Sequence, residues 1–131
     1  VVLKPTSGIG VDGACSGNPG PAEYKGIDLK TDKELFHISI GNSTNNIAEF
    51  IGVIHAYAYS EKHNMNAIIW TDSMTAISWI KNKKVKTTFT EYNDILERAK
   101  KYLFLTTFDM TRIKKWNTKE WGEIPADFGR K

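Results

Sequence analysis

The sequence predicts one layered domain of the α/β or α+β class, with helices packed on a mixed sheet. Three observations predict it. Period-two alternation recurs before residue 44, as in Phe36, Ile38 and Ile40 set against His37 and Ser39. A helical stripe of Ile47, Phe50, Ile51, Ile54 and Ala58 follows at once. Beyond it the short, wholly apolar run "AIIW" stands between two helical patterns, as a strand buried on both faces would.

Each element can be justified in turn. "SGIGVDGA" sets Ile9 and Val11 on one face and Gly8, Gly10 and Asp12 on the other, which predicts a glycine-rich strand. "SGNPGPA" interrupts regular structure with two glycines and two prolines. "EYKGIDLK" and "ELFHISIG" predict two strands joined through the polar "TDK" as a hairpin. The stretch "TNNIAEFIGVIHAYAYS" is the first helix, with Thr44 or Asn45 as its cap. After "AIIW", "DSMTAISWIKNKK" predicts a second helix whose terminal lysines suit the negative end of the helix dipole. Thr88 and Glu91 have the spacing of a capping box for a third helix, with an apolar stripe of Tyr92, Ile95, Leu96, Ala99, Tyr102 and Leu103. "TFDMTRIKKW" predicts the last strand, and "IPADFG" a closing helical turn with Pro125 at its first position. The order is β-β-β-α-β-α-α-β-α.

A length of 131 residues suits a single domain, residues 1–131, with one core. The chain begins with Val1, which suggests a processed product or a domain cut from a longer protein. The single cysteine, Cys15, excludes an internal disulfide and points to a reducing cytoplasm. No apolar run approaches the length of a membrane span. A net charge of +3 suits a polyanionic partner and suits simple solubility equally well.

Four carboxylates stand out. Glu49 is the lone charge in the first turns of an otherwise uncharged helix, and a buried charge needs cations or donors to be kept. Asp12 lies on the glycine face of the first strand, Asp72 follows "AIIW", and Asp127 falls in the closing turn. Each also has a structural role open to it: a cap for Glu49, an Asp-Gly turn for Asp12, an N-cap for Asp72, a dipole partner for Asp127. If the strand ends are adjacent, several acids converge, and such a cluster calls for hard cations with oxygen ligands.

"DGACSGNPGPAEYKGI", "TNNIAEFIGVIHAY", "TDSMTAISWI" and "PADFGRK", taken in order, resemble the type 1 ribonucleases H over nearly the whole chain. The resemblance implies the ribonuclease H-like fold, a five-stranded mixed sheet flanked by helices. It implies endonucleolytic hydrolysis of the RNA strand of RNA–DNA hybrids, leaving 5′-phosphate and 3′-hydroxyl ends. The catalytic and metal-binding set it implies is Asp12, Glu49, Asp72 and Asp127, on the first strand, first helix, fourth strand and last helix. They would hold two Mg²⁺ ions, with Mn²⁺ as an alternative. One ion would activate water and the other would stabilise the leaving 3′ oxygen. Substrate contacts are implied for Cys15, Ser16, Asn18, Asn45 and Asn46 at the RNA 2′-hydroxyls and for Thr44 at a DNA phosphate. Lys81, Lys83, Lys84 and Lys86 stand where some relatives carry a longer basic insertion and are candidate phosphate contacts. A monomer with no membrane partner is expected. Many relatives have a histidine between the last strand and the last Asp. Here that loop, "NTKEWGEI", has none, so the chain either works without that residue or uses Lys119, Glu120 or Glu123; His55, on the apolar helix, is expected to be a packed core residue.

Overall fold

The computed structural model describes residues 3–128. Five strands form one mixed sheet in the order β3-β2-β1-β4-β5. Strands β1 (Ile9–Cys15), β2 (Gly20–Asp28) and β3 (Lys33–Ser43) make an antiparallel meander. The chain then crosses over through helix α1 (Asn45–Lys62), and β4 (Ile69–Thr71) returns parallel to β1. Helices α2 (Met74–Asn82) and α3 (Asp94–Leu105) follow, and β5 (Ile113–Lys115) adds parallel to β4. A four-residue helix, α4 (Thr118–Trp121), lies in the segment after β5. The five predicted strands are all present, in the predicted order along the chain.

The core lies between the sheet and α1. Ile9 and Val11 of β1 are fully buried with Ile47, Phe50, Val53 and Ile54 of α1. Two glycines let helix and strand approach this closely. A Cβ on Gly13 would stand 2.7 Å from the Glu49 backbone nitrogen, and one on Gly52 would stand 2.6 Å from Val11 Cγ1. Both distances are far inside van der Waals contact, so the glycines are what bring α1 down onto β1. No helix among the described residues is long and apolar enough to cross a membrane.

His55 is half-buried and packs against core side chains. Its ring stacks on Phe36 at 4.0 Å, and its Nδ1 shares a 2.7 Å hydrogen bond with the Tyr24 hydroxyl. Burial lowers its pKa below the ordinary histidine value, and burial likewise pushes the Tyr24 phenol up to about 12, with Arg98 pulling slightly the other way. A lowered folded-state value means the unfolded chain binds the proton more readily. The stability that His55 contributes is therefore complete above the ordinary histidine range near pH 6.5 and declines as pH falls below it. His55→Gln removes this titration, so the urea midpoint of the variant should fall less than that of the wild type between pH 7.5 and pH 5.

Three details correct the sequence reading. The break between β1 and β2 is shorter than "SGNPGPA", because Gly20, Pro21 and Ala22 already pair with β3. The third helix does not start from a Thr88–Glu91 capping box. Its N-cap is Asn93, whose Oδ1 accepts from the Leu96 amide (3.1 Å) while its Nδ2 donates to the Ile40 carbonyl (2.7 Å). Tyr92, assigned to the apolar stripe, lies outside the helix and is exposed. Asn93 thus caps α3 and ties it to β3, and Asn93→Ala should cost about 1–2 kcal/mol, the upper part of the range for a lost cap, measured by urea unfolding. Finally, "IPADFG" makes no helical turn among the described residues. The Asp127 amide donates to the Ile124 carbonyl (2.8 Å), closing a turn with Pro125 at its second position, where a fixed φ is favoured.

Candidate active site

The register of the sheet creates the site. Strands β1 and β4 are parallel, and their last paired residues are Val11 and Thr71. The next residue in each case is an aspartate, so Asp12, within β1, and Asp72, just after β4, stand where the pairing of these two central parallel strands ends. This is where open α/β sheets present their clefts. β1 lies between an antiparallel neighbour, β2, which pairs with it from Ile9 to Cys15, and the parallel β4, whose pairing stops at Val11. Helix α1 brings the third acid. Its backbone touches β1 at Gly13, the residue after Asp12, and the touching residues are Ala48 and Glu49.

The result is a compact set of carboxylates. One oxygen each from Asp12, Glu49 and Asp72 lies within 4.8 Å of the other two. Asp12 and Glu49 are buried, and Asp72 is half-buried. Three ionised carboxylates at this spacing repel by about 3–4 kcal/mol per pair at an effective dielectric constant near 20. A cation bound among them removes that cost. The donor set is all oxygen, with no histidine or cysteine, which fits Mg²⁺ or Mn²⁺ rather than zinc.

The structure also removes the structural explanation for Asp72. The N-cap of α2 is Ser73, whose Oγ accepts from the Ala76 amide at 3.0 Å. Thr44 caps α1 through Oγ1, which accepts from Ile47 (3.2 Å). Glu49 lies beyond the first turn and takes no part in that cap.

Asp127 is not one of the carboxylates that cluster within 4.8 Å; the segment that carries it packs on the other face of the sheet. Ile124 and Ala126 are buried, and Ile124 lies against Gly10, two residues from Asp12 on the same side of β1. The Phe128 ring lies 4.5 Å from Lys25 Nζ, and Lys25 is the cross-strand partner of Asp12. Asp127 therefore sits between two contacts that bracket Asp12, on a turn rather than on the helix that the family resemblance implies.

Four of the candidate substrate residues, Asn18, Thr44, Asn45 and Asn46, line two clefts. Asn45, Asn46 and Glu49 line one of about 350 Å³ together with Asp72 and Ser73. Asn18, Thr44, Asn46 and Lys86 line a second of about 450 Å³, with Asn46 facing both. The Asn18 side chain accepts from the Asn45 amide (3.0 Å), which ties the loop before β2 to the start of α1. The Cys15 thiol faces the carbonyls of Gly17, Gly20 and Ser43. The Ser16 amide donates to the Pro21 carbonyl (2.9 Å) and so is committed within the loop.

The lysines separate. Lys86 is beside Asn18 and Thr44, whereas Lys83 and Lys84 line a different hollow with Leu103 and Phe104. Lys83 also donates to the Thr106 carbonyl (2.9 Å). Lys81 is exposed in the last turn of α2. Two residues in the architecture of the site escaped the sequence reading. Gly13 had a signal, since glycine within a strand often marks close backbone approach. Lys25 had none, because its place opposite Asp12 is a matter of strand register.

The profile of the RNase H family matches residues 7–123. The chain belongs to the ribonuclease H family. Among relatives in this family, ribonuclease H of Rickettsia felis is 33% identical over 135 residues, covering 91% of this chain and 84% of that protein. Ribonuclease H of Neorickettsia sennetsu is 35% identical over 85 residues, covering 57% of this chain and 56% of that protein. The match to ribonuclease H of Trichodesmium erythraeum is 37% over 93 residues and covers 59% of it. For these last two, the chain spans little more than half the length of the relative. The crystal structure of LC11-RNase H1 in complex with RNA/DNA hybrid superposes with a TM-score of 0.52 over 86% of each chain at 19% identity, a likeness of fold. Asp127 lies just beyond the segment that the family profile matches.

Proposed function

We propose that this chain is an endonuclease that hydrolyses the RNA strand of RNA–DNA hybrids with two divalent metal ions, leaving 5′-phosphate and 3′-hydroxyl ends. The observation that carries the reading is the convergence of Asp12, Glu49 and Asp72 within 4.8 Å where the pairing of β1 and β4 ends. Membership of the ribonuclease H family supports it, as does the fold shared with an RNase H1 whose structure was solved on RNA/DNA hybrid.

Asp12, Glu49 and Asp72, joined by Asp127, would hold the ions, with Mg²⁺ the first choice and Mn²⁺ an alternative. Such ions acidify water for attack on phosphorus and neutralise charge growing on the leaving oxygen. The chain's own residues do the rest. Burial of Asp12 and Glu49 fixes their carboxylates on the closely packed β1–α1 pair, so the ligand geometry is set before substrate arrives. Asn45 and Asn46 present amides at the cleft that holds Glu49 and Asp72, where an RNA 2′-hydroxyl can both donate and accept. Asn18 braces that helix start through the Asn45 amide. Thr44 and Lys86, which share the adjoining cleft, would take a phosphate of the DNA strand. Lys83, held by Thr106, is a weaker candidate than Lys86.

Purified protein should cut a labelled hybrid in Mg²⁺ or Mn²⁺ and lose that activity in EDTA. DNA and RNA duplexes in parallel reactions should remain intact. Failure to cut hybrid with any divalent ion would sink the reading, and preferential cutting of either homoduplex would replace the substrate.

A further inference from the structure

On the face of the sheet opposite α1, cross-strand pairing lines up Asp12 of β1, Lys25 of β2 and His37 of β3 in one row. Directly opposed residues on neighbouring strands point to the same side. Phe128 lies across this row. Its ring centroid is 4.5 Å from Lys25 Nζ, a cation–π distance, and 5.4 Å from the His37 ring in an edge-to-face arrangement. His37 is itself held, because its Nε2 bonds the Glu23 carboxylate and its Nδ1 lies 3.7 Å from Glu34. On the other side of Asp127, Ile124 and Ala126 are buried, with Ile124 against Gly10. Between these two anchorages Asp127 is half-buried on a turn.

We propose that Phe128, seated on Lys25 and His37, is a positioning residue that holds Asp127 beside Asp12. The inference rests on the reading of Asp127 as a metal ligand. The physical case is one of restraint. A carboxylate on a turn has several rotamers and a mobile backbone, and a ligand must be held to well under an ångström to bind a small cation tightly. Ile124 and Ala126 fix the chain before Asp127. Phe128 fixes it immediately after, at the second member of a row whose first member is Asp12. Through its ring Lys25 also takes part. Its charge, opposite a buried aspartate, is turned towards an aromatic face.

The test compares Phe128→Ala, Phe128→Tyr, Asp127→Asn and the Phe128→Ala/Asp127→Asn double variant. Two readouts need no turnover: Mn²⁺ affinity by calorimetry on the free protein, and amide hydrogen exchange of the segment that contains Asp127. Phe128→Ala is expected to weaken Mn²⁺ binding about 10-fold, the lower end of the range for residues that orient metal ligands. It should also speed exchange at Asp127 at least about 10-fold as the Ile124–Asp127 hydrogen bond loosens. Phe128→Tyr, which keeps the aromatic face, should restore both. In the double variant, loss of Phe128 should add almost nothing to the loss from Asp127→Asn, since both act through one carboxylate. If Asp127→Asn weakens Mn²⁺ binding and Phe128→Ala does not, the positioning role is overturned while the ligand reading stands. If Asp127→Asn itself leaves Mn²⁺ affinity and cleavage unchanged, the ligand reading fails and this role fails with it.

Discussion

Asp72→Asn is expected to lower hybrid cleavage by roughly 10³-fold, equivalent to about 4 kcal/mol of transition-state stabilisation, while hybrid affinity stays within a few-fold. The expectation follows from the geometry. An amide in place of this carboxylate keeps the shape of the cleft but offers one neutral oxygen where two anionic ones stood. The companion measurement is stability without metal, and there the sign is informative. Asp72 shares a 4.8 Å cluster with Asp12 and Glu49, so removing its charge relieves like-charge repulsion. The metal-free variant should therefore be more stable than the wild type, by about 1–2 kcal/mol once solvent screening at a half-exposed site is allowed for. Were Asp72 a helix cap, the same change would instead cost about 0.5–2 kcal/mol. The cap is Ser73, so the stabilising sign is expected. Adding Mn²⁺ should then reverse the ranking, because a ligand that binds only the folded state stabilises in proportion to its affinity, and the wild type binds more tightly. Urea unfolding with and without 5 mM Mn²⁺ (a concentration of roughly millimolar order chosen to saturate a hard-cation site) reads both signs. A variant that is less stable without metal and gains as much from Mn²⁺ as the wild type would contradict the assignment.

The sequence carries some parts of this site and withholds others for physical reasons. Glu49 is conspicuous in it because a charge within an apolar helix has to be explained locally, and the helix period is visible along the chain. Asp12 and Asp72 can each be placed at a strand end, but their adjacency depends on the parallel register that sets Val11 beside Thr71, two residues sixty positions apart in the numbering. Such pairing leaves no local trace. Capping fails differently. Asp72 and Ser73 are both good N-caps, as are Thr44 and Asn45, and neighbouring candidates compete within a fraction of a kcal/mol. The choice falls to packing of the helix, which fixes where the first turn begins. For α3 the competing box at Thr88 and Glu91 loses to Asn93, which makes a second bond to Ile40 that only the folded chain supplies. At the C-terminal end, "IPAD" is compatible with a helix start or a turn, and burial of Ile124 and Ala126 on the sheet holds it as a turn.

Gly13→Ala should damage both stability and activity. The new Cβ would stand 2.7 Å from the Glu49 nitrogen and 2.9 Å from the carbonyl carbon and Cβ of Ala48. Two of these are backbone atoms of α1, and a helix backbone cannot yield as a side-chain tip can. The strand and helix must separate, so the clash becomes a displacement of Glu49 relative to Asp12. Overpacking of this kind costs about 2–3 kcal/mol, or a fall in Tm of roughly 10 °C for a domain of this size. Well below that Tm, where the variant is still folded, kcat should fall by about 10²-fold, the scale expected when catalytic groups move by an ångström. Gly52→Ala is the internal control on the same interface. Its Cβ would meet Val11 Cγ1 at 2.6 Å and Tyr24 Cβ at 3.3 Å, side-chain atoms rather than the helix backbone that Gly13→Ala strikes, and alanine in a helix regains up to about 1 kcal/mol over glycine. It should cost less stability and far less activity. Comparing kcat for the two variants at matched fraction folded separates a general weakening of the core from a local loss of ligand geometry. Equal losses would mean that the close approach at Gly13 serves only packing. A selective loss in Gly13→Ala would show that one glycine, next to Asp12, sets the distance between the strand acid and the helix acid.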